Sequence, residues 1–165
     1  MRRCPYWVTR RVGGCPLPWP GAEEALRRAG VTLLVSLVEP EEFYDAWPGG
    51  EREFLEAMES AGIRVIRLPT PDFGAPDIDE ACRVLGEAWR EVRSGGKVVF
   101  HCYGGIGRTG TMLVAYLHLC EGLPMEEALE IVRRYGAGPQ SAAQEYFLYY
   151  IQLKCAPAGR PQCRD

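Results

Sequence analysis

Residues 97–110 read KVVFHCYGGIGRTG, and this stretch decides the fold. Its first five residues, Lys97 to His101, form a β-branched and aromatic run of the length and character of a strand covered on both faces. From Thr109 the chain continues TGTMLVAYLHLC, apolar almost all round, as expected of a helix through the middle of a domain. Between them lie Gly104, Gly105 and Gly107, so the stretch is a buried strand, a glycine turn and a buried helix.

The flanking sequence repeats the alternation. Upstream, Tyr6 to Cys15 reads as a hairpin-like start and Gly21 to Ala29 as a short helix stopped by Gly30. Val31 to Val38 (VTLLVSLV) is a second buried strand, Glu39 to Gly50 a loop, and Glu51 to Ala61 a helix closed by Gly62. Ile63 to Leu68 is a third buried strand and Pro69 to Pro76 a proline-rich loop. A helix follows, with Asp77 and Glu80 spaced as a capping box, and Gly95-Gly96 end it. Downstream, helices are predicted near Met125 to Tyr135 and Ser141 to Leu153. Strands alternating with helices imply an α/β fold, a central and mostly parallel sheet with helices on both sides. With neither repeat nor boundary, one domain is expected over residues 1–155 and a polar tail over 156–165.

The glycine turn carries the chemistry. First-turn amides of a helix lack intrahelical partners and sit at the positive end of its dipole, which makes that end an anion site. The glycines let the backbone of Tyr103, Gly104, Gly105, Ile106 and Gly107 curl so that successive amides face one centre. Arg108 can grip two phosphate oxygens with its planar fork. Cys102, aimed at the same centre, would have its thiolate favoured by the same groups. The Thr109 hydroxyl can hydrogen-bond the sulfur.

Cys followed six positions later by Arg is weak by itself, since about one match is expected by chance at this composition. Cys4 and Arg10 share the spacing, but the residues between them, Pro-Tyr-Trp-Val-Thr, hold no glycine and cannot form the cradle. Only the second match combines glycines, preceding strand, Thr-Gly and following helix.

On these residues the chain resembles the Cys-dependent protein tyrosine phosphatases, whose loop reads His-Cys, five residues, Arg, Ser/Thr, Gly, and most of all their small dual-specificity branch with its archaeal members. The resemblance is sharpest at 101–110 and runs in order from about Tyr6 to Leu153. It implies a protein tyrosine phosphatase-like fold and hydrolysis of phosphotyrosine, with phosphoserine or phosphothreonine in many members, through a phosphocysteine and without metal or cofactor. It makes Cys102 the nucleophile, Arg108 the phosphate clamp and Thr109 the helper hydroxyl.

Expelling the leaving oxygen needs a proton donor opposite the sulfur. The segment Pro-Asp-Phe-Gly-Ala-Pro at 71–76 is similar to the family's acid loop and carries the role to Asp72, with Asp77 and Asp79 as neighbouring rivals. Asp77 also reads as a helix cap. His101 is expected to hold the backbone around the loop, and His118 to pack. Gln144 falls where some members orient the attacking water, and Ser141-Ala-Ala-Gln144 also reads as a capping box.

The net charge of −3 argues against bulk electrostatic binding of nucleic acid or membranes. No apolar run reaches membrane-spanning length and no signal peptide is read at the N-terminus. A cytoplasmic monomer is therefore expected, and the resemblance implies phosphorylated proteins as its substrates. The seven cysteines show neither metal-ligand nor scaffold spacing, so most are read as buried hydrophobes or free thiols, with Cys155 and Cys163 as a possible pair. Three alternatives stay open. The same chemistry could act on phosphoinositides or RNA 5′-phosphates, although the loop lacks a second cation. The fold could bind phosphate without turnover. It could also serve arsenate reduction or sulfur transfer, with Cys120 or Cys82 as a relay.

Overall fold

In the computed structural model, which describes residues 3–155, the chain forms β1 (Tyr6–Trp7), β2 (Val12–Cys15), α1 (Ala22–Arg28), β3 (Leu33–Ser36), a 3-10 helix over Pro40–Asp45, α2 (Gly50–Ser60) and β4 (Arg64–Arg67). Then come α3 (Ile78–Arg93), β5 (Val98–His101), α4 (Gly107–Leu119), α5 (Met125–Arg133) and α6 (Ala142–Cys155). The strands make one sheet in the order β1-β2-β5-β3-β4. β1 pairs antiparallel with β2, and the other pairs are parallel. β5 is central, so the glycine turn that follows it leaves the middle of the sheet at its carboxyl end, where open α/β sheets bind ligands.

The expected α/β sandwich is present, with three local corrections. β4 is an edge strand with Arg64 exposed and its other residues partly buried, where a fully buried strand was expected. Arg64 at one end stays exposed, while Arg67 at the other turns inward to the Ser36 and Val38 carbonyls. The segment 39–50, expected as a plain loop, contains the 3-10 helix, started by Pro40 and by a reciprocal capping box between Glu39 and Glu42. Helix α4 begins at Gly107, so Arg108 lies inside the first turn instead of ahead of it.

Helix α4 is buried over nearly its whole length and packs on β2 and β5, with α5 and α6 against it. On the opposite side of β5, Phe54 of α2 packs against Phe43 at 4.6 Å between ring centroids and against the His101 ring at 5.6 Å. Burying these aromatic surfaces helps hold α2 and the 3-10 helix to the sheet.

The cysteines depart most from expectation. Cys82 of α3 is bonded to Cys155 at the end of α6, and Cys4 to Cys15 across the N-terminal hairpin. Cys155 is therefore not a partner for Cys163, which lies outside the described residues with the rest of the predicted tail. Spacing could not reveal either bridge, since each joins residues that only the fold brings together.

Candidate active site

Cys102 directly follows β5 and is buried, with its loop wrapped around the start of α4. Three loop carbonyls are tied to groups outside the loop. That of Tyr103 accepts from the Leu17 amide at 2.9 Å and that of Ile106 from the Gly138 amide at 3.0 Å. That of Gly105 accepts from the Tyr6 hydroxyl at 2.6 Å. In a trans peptide the N–H opposes the C=O, so outward carbonyls turn the Gly104, Ile106 and Gly107 amides inward. Gly105 has φ +75°, and a Cβ there would lie 2.8 Å from the Pro16 nitrogen and 3.0 Å from the Cys15 carbonyl carbon. Only glycine fits that crossing.

Arg108 is buried and held from three directions. Its Nη1 and Nη2 donate to the two carboxylate oxygens of Glu42 at 2.8 and 2.9 Å, and Nη1 also donates to the Thr70 carbonyl at 2.9 Å. Asp72 Oδ1 lies 3.4 Å from Nη2. Arg108 Nε and Thr109 Oγ1 are buried without a hydrogen-bond partner among the described residues, the condition of donors reserved for a ligand. Burial works to raise the Glu42 pKa, but the Arg108 hydrogen bonds and charge outweigh it and hold the carboxyl below its ordinary value.

His101 sits beneath this assembly. Its Nδ1 is 3.0 Å from the Cys102 carbonyl and its Nε2 2.7 Å from the Ser36 hydroxyl. A carbonyl only accepts, so Nδ1 carries the proton and Nε2 accepts from Ser36. Burial pushes the imidazole pKa down to about 4, which keeps the ring neutral in this network. Arg67 Nη1 continues the chain, donating to the Ser36 and Val38 carbonyls at 3.0 and 2.7 Å.

Asp72 faces the same small cavity of about 230 Å³ as Cys102, Arg108, Tyr103 and Gln140. Its loop is strained at Phe73, which has φ +63°, a conformation a bulky residue rarely adopts. The strain is held by named bonds. The Ser141 hydroxyl donates to the Phe73 carbonyl at 2.7 Å, and Gln144 Nε2 donates to the Gly74 carbonyl at 3.0 Å. The Phe73 amide donates to Asp72 Oδ1 at 3.0 Å.

The rivals lie elsewhere. Asp77 caps α3 by accepting from the Glu80 amide at 3.0 Å. Asp79 is exposed and pairs with Lys154 at 3.3 Å. Cys4 of the decoy pair is consumed in a disulfide, and His118 Nδ1 is 2.7 Å from the Leu123 carbonyl. Gln144 is buried and fully engaged, since its Oε1 accepts from the Gln140 amide at 2.7 Å and its own amide donates to Ser141 Oγ at 3.2 Å. Half of the expected capping box is thus present, with the return bond going to Gln140 instead of Ser141. Gln140 is the glutamine that reaches the cavity, where its Oε1 would stand 2.4 Å from a Cβ on Gly107.

Sequence reading missed Glu42, Ser36, Arg67, Tyr6 and Gln140. Glu42 carried one signal, its place three residues after Glu39 and two after Pro40. The others had none, since each reaches the site from a distant element.

The family profile described as "Polymorphic toxin system, DSP-PTPase phosphatase" matches residues 21–121 of this chain. The chain belongs to this family. The DSP-PTPase assignment agrees with its relatives. Human dual specificity phosphatase 28 is 31% identical over 117 residues, covering 68% of this chain and 57% of that protein. The tyrosine-protein phosphatase CDC14 of Saccharomyces cerevisiae is 31% identical over 95 residues, covering 58% of this chain and 17% of that protein. The chain spans about half or less of the length of the first curated relatives it matches. Among solved structures, Tk-PTP in the active form superposes with a TM-score of 0.82 at 30% identity, covering 93% of this chain and 99% of that one.

Proposed function

We propose that the chain is a metal-independent protein phosphatase that hydrolyses phosphotyrosine, with phosphoserine and phosphothreonine as further substrates, through a phosphocysteine. The observation that carries the reading is the convergence of Cys102, Arg108 and Asp72 on one small cavity. The substrate phosphoryl group binds the inward amides and Arg108, and its three oxygens share their charge with those donors. Cys102 Sγ attacks phosphorus, and the bond from phosphorus to the leaving oxygen breaks. Asp72 gives that oxygen its proton. Asp72, now a carboxylate, takes a proton from water held by Gln140. The oxygen of that water attacks the phosphocysteine, the sulfur–phosphorus bond breaks with Thr109 hydrogen-bonding the departing thiolate, and inorganic phosphate leaves.

The reading extends to a monomer acting on phosphorylated proteins, without nucleic acid or membrane as partner. The cytoplasmic placement is a proposal of the same kind. Disulfides are rare in reducing cytosol outside heat-adapted organisms, so titrating thiols on protein taken directly from its source would test it. Free thiols throughout would support the cytoplasmic placement, and the two bridges seen among the described residues found intact would count against a reducing compartment. Cys82 is spent in one bridge, which removes it as a relay for arsenate reduction.

The test is hydrolysis of p-nitrophenyl phosphate, phosphopeptides, phosphoinositides and 5′-phosphorylated RNA by wild type, Cys102→Ser and Asp72→Ala, with EDTA present. Turnover of phosphopeptides above the others, abolished in Cys102→Ser and unaffected by EDTA, is the expected result. Asp72→Ala should lose much more on alkyl phosphates than on p-nitrophenyl phosphate, whose leaving group needs little protonation. Dependence on added metal, or preference for lipid or RNA, would overturn the reading. Binding of phosphopeptide without turnover would make the chain a phosphate-recognition module.

A further inference from the structure

Three side chains line up across the sheet at the base of Cys102. Arg67, Ser36 and His101 are the last residues of β4, β3 and β5, and the register pairs Ser36 with each of the other two. Residues paired in register share a face of the sheet, so the three meet side by side. A guanidinium has no acceptor atom, so Ser36 Oγ, 3.3 Å from Arg67 Nη1, accepts from it. The Ser36 hydroxyl hydrogen is then free for His101 Nε2 at 2.7 Å, and the His101 Nδ1–H goes to the Cys102 carbonyl at 3.0 Å. Every donor in this chain points the same way, from the edge strand to Cys102, and hydrogen bonds aligned in that manner polarise one another.

Arg67 is anchored at the head of the chain. Its Nε donates to Glu51 Oε2 of α2 at 2.5 Å, and its Nη1 also donates to the Ser36 and Val38 carbonyls. Its guanidinium carbon lies 4.9 Å from the Phe43 ring centroid. Its Nη2 is buried with no hydrogen-bond partner among the described residues. An apolar side chain of similar length would fill the space without that cost, so packing alone does not account for a cation here.

At the foot of the chain, the peptide joining Cys102 to Tyr103 gives its carbonyl to His101. Its N–H therefore faces the opposite way, on the side of the cavity that Cys102 and Tyr103 line. That amide donates to no group among the described residues. A polarised bond to the carbonyl also makes the N–H of the same peptide a stronger donor. We propose that Arg67 is a positioning residue for anion binding: acting through Ser36 and His101, it fixes the peptide after Cys102 so that the Tyr103 amide meets a phosphoryl oxygen in the cavity. The proposal rests on the phosphatase reading above for the identity of that anion. It gives the edge strand β4 a part in the site, although Arg67 itself does not line the cavity.

The experiment compares wild type with Arg67→Met and Ser36→Ala, using inorganic phosphate as the probe and p-nitrophenyl phosphate alongside. Titration calorimetry should show phosphate binding weakened roughly three- to tenfold in both variants. Ser36→Ala keeps the charge of Arg67 and breaks the chain, so its loss is not one of long-range attraction. Proton NMR in water should show the His101 Nδ1–H signal downfield and slow to exchange in wild type, and upfield and faster in both variants. The chain has two histidines, and His118→Gln assigns the signals. Wild-type phosphate affinity in Ser36→Ala, or weakened binding with the Nδ1–H signal unmoved, would overturn the role. If Arg67→Met does not fold, Ser36→Ala decides on the same two readings. Wild type that binds phosphate yet leaves p-nitrophenyl phosphate intact would instead refute the phosphatase reading, with the positioning role still supported by the binding data.

Discussion

Glu42 meets both terminal nitrogens of Arg108, Oε2 to Nη1 at 2.8 Å and Oε1 to Nη2 at 2.9 Å. A two-point carboxylate contact fixes the plane of the guanidinium as well as its position. It leaves Nε, buried and without a partner among the described residues, as the donor turned to other use. The 3-10 helix at Pro40–Asp45 therefore sets the angle at which Arg108 is presented to the cavity beside Cys102.

Glu42→Gln keeps the shape of that contact and removes its charge. We expect kcat/KM for p-nitrophenyl phosphate to fall by about 10- to 100-fold, the scale on which misplacing a catalytic group acts. Vanadate should bind more weakly in the same variant. Steady-state kinetics and vanadate inhibition measure both. Unchanged kinetics with a normal melting curve would leave Glu42 a structural contact only.

The loop carrying Asp72 makes a separate prediction. Phe73 is held at positive φ while Ser141 and Gln144 grip the carbonyls of Phe73 and Gly74. Gln144 also accepts from the Gln140 amide, so one side chain connects the loop carrying Asp72 to the glutamine in the cavity. Gln144→Ala should lower kcat several-fold more on phosphotyrosine than on p-nitrophenyl phosphate, whose departure needs less help from Asp72. An equal loss on the two substrates would count against control of Asp72 through this contact.

The contrast between Cys102 and Glu42 explains how much the sequence disclosed. Cys102, Arg108 and the glycines lie within one short turn, where local geometry dictates residue type, and the flanking strand and helix are read from unbroken apolar runs. Glu42, Ser36 and Tyr6 reach the same site across the sheet, and no local pattern marks a long-range contact. Gln144 reads from sequence as a cap residue or a water-orienting one; it partly fills the cap, while its other bonds depend on where the loop carrying Asp72 comes to rest. The bridges between Cys82 and Cys155 and between Cys4 and Cys15 were hidden for the same reason, since a cysteine buried as a hydrophobe and one buried in a disulfide look alike in sequence.

The bridge between Cys82 and Cys155 closes a loop across a sequence separation of 73 residues and ties α3 to α6. On the chain-entropy account such a closure stabilises by about 4 kcal/mol. Reduction of the wild type, or the Cys82→Ser substitution, should lower the melting temperature by many degrees. Reductant should then have little further effect through this bridge in Cys82→Ser. Scanning calorimetry with and without a phosphine reductant checks it, and equal melting of reduced and untreated protein would show that the bridge adds no stability.

His101 predicts a pH dependence with a definite sign. Its pKa is pushed down to about 4 in the fold, below the ordinary value of about 6.5, so the unfolded chain binds the proton more readily. Stability is then complete above about pH 6.5 and declines as pH falls toward 4, by on the order of 3 kcal/mol over that window. Glu42, held below its ordinary value by Arg108, acts in the same direction at the acid end, because protonating it discards the ion pair. Urea unfolding between pH 4.5 and 7 should show the slope in wild type and a shallower one in His101→Gln, which cannot titrate. Parallel slopes in the two proteins would mean that other groups set the acid limit and that the imidazole between Ser36 and the Cys102 carbonyl does not.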